Sequence, residues 1–195
     1  LTRYNKLLMS LSPRKSMAGP TERILKTWDE LNMNRKVVGI AGVDAHAFPV
    51  KVGPFTVEIF PYKVHFRCLR THIIMTDRFS DDFDTAKRQL YDAIRDCRLY
   101  FSNMRWGAAD DFEFYLQSGS EKVTCGGTLT SPNGARLIVN LPSTADLRLV
   151  HNGETIVQAD TDALDFSEIR KGIYRVEAWK GSRGWIFSNH IRVDM

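Results

Sequence analysis

Asp44 and His46 stand two residues apart in the stretch 36–48, KVVGIAGVDAHAF. A carboxylate oxygen and an imidazole nitrogen both bind divalent metal ions, and in extended chain residues two apart project to the same side. The pair can therefore reach one ion or two adjacent ones. The same Asp-x-His spacing also serves as a capping or turn element, because an aspartate side chain readily bonds its own neighbouring backbone. What precedes it bears on the choice. Val37 to Ala41 is an apolar run without polar interruption, which predicts a strand buried on both faces, as in the parallel sheets of α/β proteins. Active-site groups in such folds lie just past the carboxyl ends of strands, where Asp44 and His46 fall, and Gly42 lets the chain turn tightly before them.

The elements that must hold this loop flank it directly. Pro20 suits the first turn of a helix, and Ile24, Leu25, Trp28 and Leu31 recur at helical spacing through Asn34. Helix, strand and functional loop thus follow in the order of an αβ unit. Leu1 to Gly19 reads as a short basic helix and a loop. From Pro49 to Met75 the chain reads as a long aromatic loop ending in a short extended segment. His65 and His72 lie there and read as packed or hydrogen-bonded residues rather than ligands. Ser80, Asp81 and Asp82 make a helix start with acids at the positive end of the dipole. Phe83, Ala86, Leu90, Ile94 and Cys97 continue the apolar stripe, so Cys97 reads as a buried thiol rather than a nucleophile.

Past residues 105–111 the helical period gives way to β patterning. Segments at 112–117, 122–129, 136–141, 147–151 with 155–159, 173–180 and 185–193 are separated by turn chemistry such as Asn152-Gly153 and Lys180-Gly181. Many short strands with frequent turns predict an antiparallel, immunoglobulin-like β-sandwich. The division expected is residues 1–105, then a β-sandwich domain over 106–195.

Composition narrows the function classes. With 195 residues, 43% hydrophobic and 26% charged, the chain can bury a real core. A net charge of +4, spread among acids, argues against a nucleic-acid partner. No apolar run is long enough to span a bilayer, so no membrane partner is expected. The three cysteines, Cys68, Cys97 and Cys125, form no CxxC and point to reduced thiols and a cytoplasmic setting. The chain begins at Leu1 in mid-pattern, which suggests a fragment whose upstream part is missing.

Four stretches carry a resemblance to the C-terminal part of the PHP (polymerase and histidinol phosphatase) metal-dependent hydrolases, particularly the CehA/McbA-like group. GVDAH at 42–46 looks like the family's G-S-D-A-H, with Val43 for serine. AIRDCRLYFS at 93–102 is similar to A-L-R-x-G-R-x-Y-V-S, with Cys97 where a capping glycine stands, which favours a different chain exit. GIYRVE at 172–177 is the third. GWIFSNHI at 184–191 is like W-I-x-S-N-P-I, with His190 for proline. The resemblance implies an α+β chain: the C-terminal piece of a distorted (β/α)7 barrel followed by the sandwich. It implies Asp44 and His46 as the last pair of ligands to zinc, manganese or iron, with a metal-bound hydroxide attacking a small-molecule phosphate or carbonyl ester. The family's H-x-H motif and central histidines are absent, and His65, His72, His151 and His190 show no matching spacing. Alone, the chain is expected to be inactive.

The competing reading is a non-catalytic β-sandwich module that docks a barrel, a partner subunit or a carbohydrate, with Trp179 and Trp185 as candidate surface aromatics. Either way, Val37 to Ala41 is expected to pair with another chain, as in a homo-oligomer, or to pack against rearranged elements, since an apolar strand is not left with open edges.

Overall fold

Helix α1 spans Glu22–Asn34 and is opened by Thr21, whose hydroxyl accepts from the Ile24 amide at 3.4 Å. Its buried face is Leu25, Trp28, Asp29 and Asn32, residues three, four and seven apart, so one stripe faces the sheet and includes a carboxylate. The structure, a computed structural model, describes residues 18–43, 45–59 and 61–194. After α1 the sequence predicts a doubly buried strand at Val37–Ala41. Residues 36–43 and 45–47 instead carry no regular secondary structure, and Ile40 is 61% exposed. Side chains of other elements bond its backbone where a sheet partner was expected, and the run is only partly buried.

A hairpin follows, β1 (Phe48–Val52) and β2 (Phe55–Ile59), then a one-turn helix α2 (Tyr62–His65) and strand β3 (Leu69–Ile73). The long loop expected over 49–75 is thus largely ordered. Helix α3 (Phe83–Arg95) starts at Asp82, whose carboxylate accepts from the Thr85 amide at 2.9 Å. Cys97 ends it in the left-handed region at φ 62°, with the Arg98 amide donating to Ala93 and the Cys97 amide to Ile94. This is the turn a glycine usually makes. The altered exit expected from a cysteine there does not occur.

Among the described residues ten strands form one curled sheet. Its path runs β3, β4 (Leu99–Asn103), β11 (Arg183–Ser188), β10 (Gly172–Lys180), β8 (Arg136–His151), β5 (Glu113–Ser118) and β6 (Glu121–Thr124). β9 (Glu154–Phe166) pairs with β8, and β12 (Ile191–Val193) pairs with β10 and, in parallel, with the short β7 (Thr128–Leu129). All other ladders are antiparallel. Asn152 and Gly153, at φ 50° and 87°, turn β8 into β9 as an Asn-Gly hairpin should. The two strand segments read at 136–141 and 147–151 are one strand with a register shift between Asn140 and Ala145. Inside the curl lies the main core, with Trp185, Tyr174, Leu137, Leu147 and Ile186 all fully buried.

The fold is α+β, mostly β with two main helices, and the sheet crosses residue 105 because β4 pairs with β11. Among the described residues no helix is long and apolar enough to cross a membrane.

Candidate functional site

The stretch leading to Asp44 is held by side chains that imitate a strand. The Asn32 amide donates to the Val37 carbonyl at 3.0 Å and accepts from the Val37 amide at 3.1 Å. Two residues on, the Asn189 amide accepts from the Gly39 amide at 2.8 Å and returns a bond to the Gly39 carbonyl at 2.9 Å. Thr71 on β3 then accepts from the Ala41 amide at 3.2 Å. A carboxamide carries one donor and one acceptor side by side, as a peptide group does. These contacts fall on Val37, Gly39 and Ala41, so they line one edge of an extended chain. Among the described residues none falls on Val38 or Ile40, whose backbone groups belong to the other edge.

Helix α1 is what brings Asn32 there, and it is clamped to the sheet by ionic bonds. Asp29 accepts from Arg175 of β10 through Nε at 2.6 Å and a terminal nitrogen at 2.7 Å, and from His190 Nε2 at 2.7 Å. Arg175 also reaches Glu177 at 2.5 Å, and Glu177 accepts from the Trp179 indole at 2.7 Å. All four charged or titratable side chains of this cluster are buried. Burial alone would raise the Asp29 carboxyl, but the bonds and charges of Arg175 and His190 outweigh it and hold it below the usual carboxylate range. Burial pushes the His190 imidazole down, with Arg175 and Arg192 adding to the effect and Asp29 opposing it.

The Trp28 indole donates to the Val37 carbonyl at 2.7 Å and its ring covers Gly39. A Cβ on Gly39 would lie 2.5 Å from that ring, so only glycine fits under it. Between α1, the extended stretch and the sheet opens an apolar cleft of about 880 Å³, lined by Ile24, Trp28, Leu31, Ile40, Phe101 and Phe187 among others. Ile24 is 55% exposed at its rim.

The expected ligands can be placed only in part. Asp44 lies outside the described residues. His46 is exposed, its ring stacked on Phe48 at 5.0 Å and 11°. His65 is buried against the same loop, with Nδ1 3.0 Å from the Val43 carbonyl. The others are elsewhere: His72 on β3 bonds Ser102, His151 bonds the Lys171 carbonyl, and His190 bonds Asp29. Among the described residues no three His, Cys, Asp or Glu side chains gather as a metal centre requires. The described residues therefore do not by themselves make up a metal site.

Nucleophile chemistry fares no better. Ser102, His72 and Asp110 fall in the order of a catalytic triad, with 2.8 Å from Ser102 to His72 and 3.7 Å from His72 to Asp110. The second distance is too long for a hydrogen bond, and the Ser102 hydroxyl is buried beneath Met104. Burial raises the Cys97 thiol and pushes Cys125 up to about 12, so both stay protonated at neutral pH.

Asn32, Asn189, Asp29 and Arg175 were not singled out by sequence reasoning. Their partners are up to 161 residues away, and the one local signal was an aspartate beside Trp28 on the buried side of an amphipathic helix. Compared with protein-family models, curated proteins and solved structures, the chain finds no match in any of the three.

Proposed function

We propose that this chain supplies the last αβ unit and the final ligand pair, Asp44 and His46, of a PHP-like metal-dependent hydrolase acting on small-molecule phosphate or carbonyl esters. The remaining ligands come from residues outside this sequence, and the chain alone is inactive. The observation that supports the reading is the half-bonded stretch 37–41: it is extended, apolar and bonded along one edge, and its open edge suits a neighbouring barrel strand. In this reading the curled sheet is the immunoglobulin-like β-sandwich that follows the barrel, the ions are zinc, manganese or iron, and the setting is cytoplasmic.

A second reading is favoured by the apolar cleft and by the lack of a third ligand among the described residues. In it the chain is a non-catalytic module that docks a barrel, a partner subunit or a second copy through the edge at 37–41. Metal analysis and phosphate-ester hydrolysis of the longer protein that carries this chain separate the two. The hydrolase reading expects His46→Ala to lower bound metal and to cut turnover at least ~100-fold, with urea stability unchanged. Equal metal content and equal turnover in the variant would leave only the docking module.

A further inference from the structure

The sequence holds two Asn-Gly pairs, Asn133-Gly134 and Asn152-Gly153. In such a pair the asparagine side chain is open to attack by its own backbone, because glycine places no Cβ in the path of the nitrogen that follows. The two turns that hold the pairs differ. At Asn152 the carboxamide is fixed: its Oδ1 accepts from the Ile173 amide at 2.9 Å, and a Cβ on Gly172 would lie 2.3 Å from the same oxygen. Swinging that group onto the Gly153 nitrogen breaks its bond to a buried residue.

Asn133 is held by its backbone alone. The Ala135 amide donates to the Pro132 carbonyl at 2.9 Å across a turn in which Gly134 has φ 68°, and the Ser118 hydroxyl reaches the Asn133 carbonyl at 3.5 Å. Among the described residues its carboxamide makes no hydrogen bond. Its side chain is exposed, and a Cβ on Gly134 would meet nothing within 4 Å. Asn133 precedes the start of β8, whose other end leads into the turn where Gly153 meets Asp29. The site thus stands at the opposite end of that strand from α1 and the stretch that α1 holds.

We propose that Asn133 is a site of intramolecular deamidation, with water as the second reactant. This holds independently of the hydrolase reading. The Gly134 nitrogen attacks Cγ of Asn133, and the new N–Cγ bond closes a succinimide ring. The Cγ–Nδ2 bond breaks, and ammonia leaves with the proton that the Gly134 nitrogen gives up. Water then adds to either ring carbonyl and reopens the ring, leaving aspartate or isoaspartate at position 133. No oxidant or reductant takes part. Either product places a carboxylate on the surface and lowers the net charge of +4 by one. Isoaspartate also routes the main chain through the side-chain carbons, which lengthens the turn and removes the bond between Ala135 and Pro132.

Peptide mapping by mass spectrometry of the 195-residue chain, aged at neutral pH with a second sample kept unfolded in urea, tests this. In urea both asparagines are expected to convert at comparable rates, since each precedes glycine. In the folded chain Asn152 is expected to fall at least ~10-fold behind Asn133, because it must first release a buried amide. Asn133→Gln, a change at an exposed side chain, is expected to remove the acidic species that builds up on ion exchange. Conversion at Asn152 as fast as at Asn133 in the folded sample overturns the proposal. So does a folded sample in which Asn133 stays intact while the urea sample converts, or an acidic species that survives Asn133→Gln.

Discussion

Replacing Asp29 should do more damage than any other single change to a charged residue of α1. Its side chain is 2% exposed and takes three bonds of 2.6–2.7 Å from Arg175 and His190. Removing one partner of a buried ion pair costs about 3–5 kcal/mol, chiefly because the other charge is left without compensation. Here Arg175 keeps Glu177 at 2.5 Å, so the loss in Asp29→Ala belongs at the lower end, about 3 kcal/mol. For a domain near 200 residues that is a fall in Tm of roughly 6–12 °C. Urea unfolding followed by tryptophan fluorescence measures it. Amide exchange at Val37 and Gly39 should accelerate in the same variant, because α1 carries Trp28 and Asn32 to that stretch. The double variant Asp29→Leu/Arg175→Met should lose less than Asp29→Ala, since an apolar pair leaves no stranded charge. A loss below about 1 kcal/mol in Asp29→Ala, with exchange unchanged, would refute the claim that this cluster clamps the helix.

Acid should loosen the same clamp. The Asp29 carboxyl is depressed in the folded state, so its contribution is present above the ordinary carboxylate value and is lost as pH falls through the folded one. The depressed His190 acts in the same direction: the unfolded chain takes up its proton first, so stability declines once pH drops below about 6.5. The urea midpoint should fall from pH 7 to pH 4, and a flat profile in wild type would contradict this. Gly39→Ala drives a methyl into the Trp28 ring and should cost about 1–3 kcal/mol by thermal denaturation, whereas Gly42→Ala, with open space around it, should cost less. At Cys97 the left-handed backbone makes Cys97→Gly tolerable and Cys97→Val costly by about 1–3 kcal/mol, readable in the same assay. The buried, protonated Cys97 and Cys125 should resist iodoacetamide at pH 7.5 until the chain is unfolded, and rapid native labelling would show that the packing is wrong.

What could be read in advance was local. The 3.6-residue stripe and the Asp82 cap announced α3, alternation announced Gly172–Lys180, and Asn152-Gly153 announced the β8–β9 turn. The hairpin at 48–59 was not: the stretch reads as a loop, although Phe48, Val50 and Val52 and again Phe55, Val57 and Ile59 alternate. Pro49 and Pro54 hid it, because proline usually argues against a strand, yet Pro49 here lies in a strand that, among the described residues, has one partner strand. The stretch 37–41 misled for another reason. An apolar run shows that residues want burial, not whether backbone or side-chain amides will satisfy their hydrogen bonds. Asn189 can take the place of a strand only once the sheet has brought it beside Gly39, 150 residues away in sequence. Asp29 is similar: on a helical wheel it is one more charge, and only Arg175 and His190 make it an anchor. The chemistry of Asp44 and His46 was visible as residue types, but a ligand set is a property of space, and two residues do not define one.

Diffraction from crystals of the protein that the proposed function describes, with this chain as its C-terminal part, collected at the zinc, manganese and iron absorption edges, tests that function most directly. The expected result is an anomalous peak about 2.0–2.2 Å from an Asp44 oxygen and a His46 nitrogen, with a neighbouring strand bonded along Val38 and Ile40. A metal peak on other residues, with His46 still stacked on Phe48 and the 37–41 edge unpaired, would contradict it.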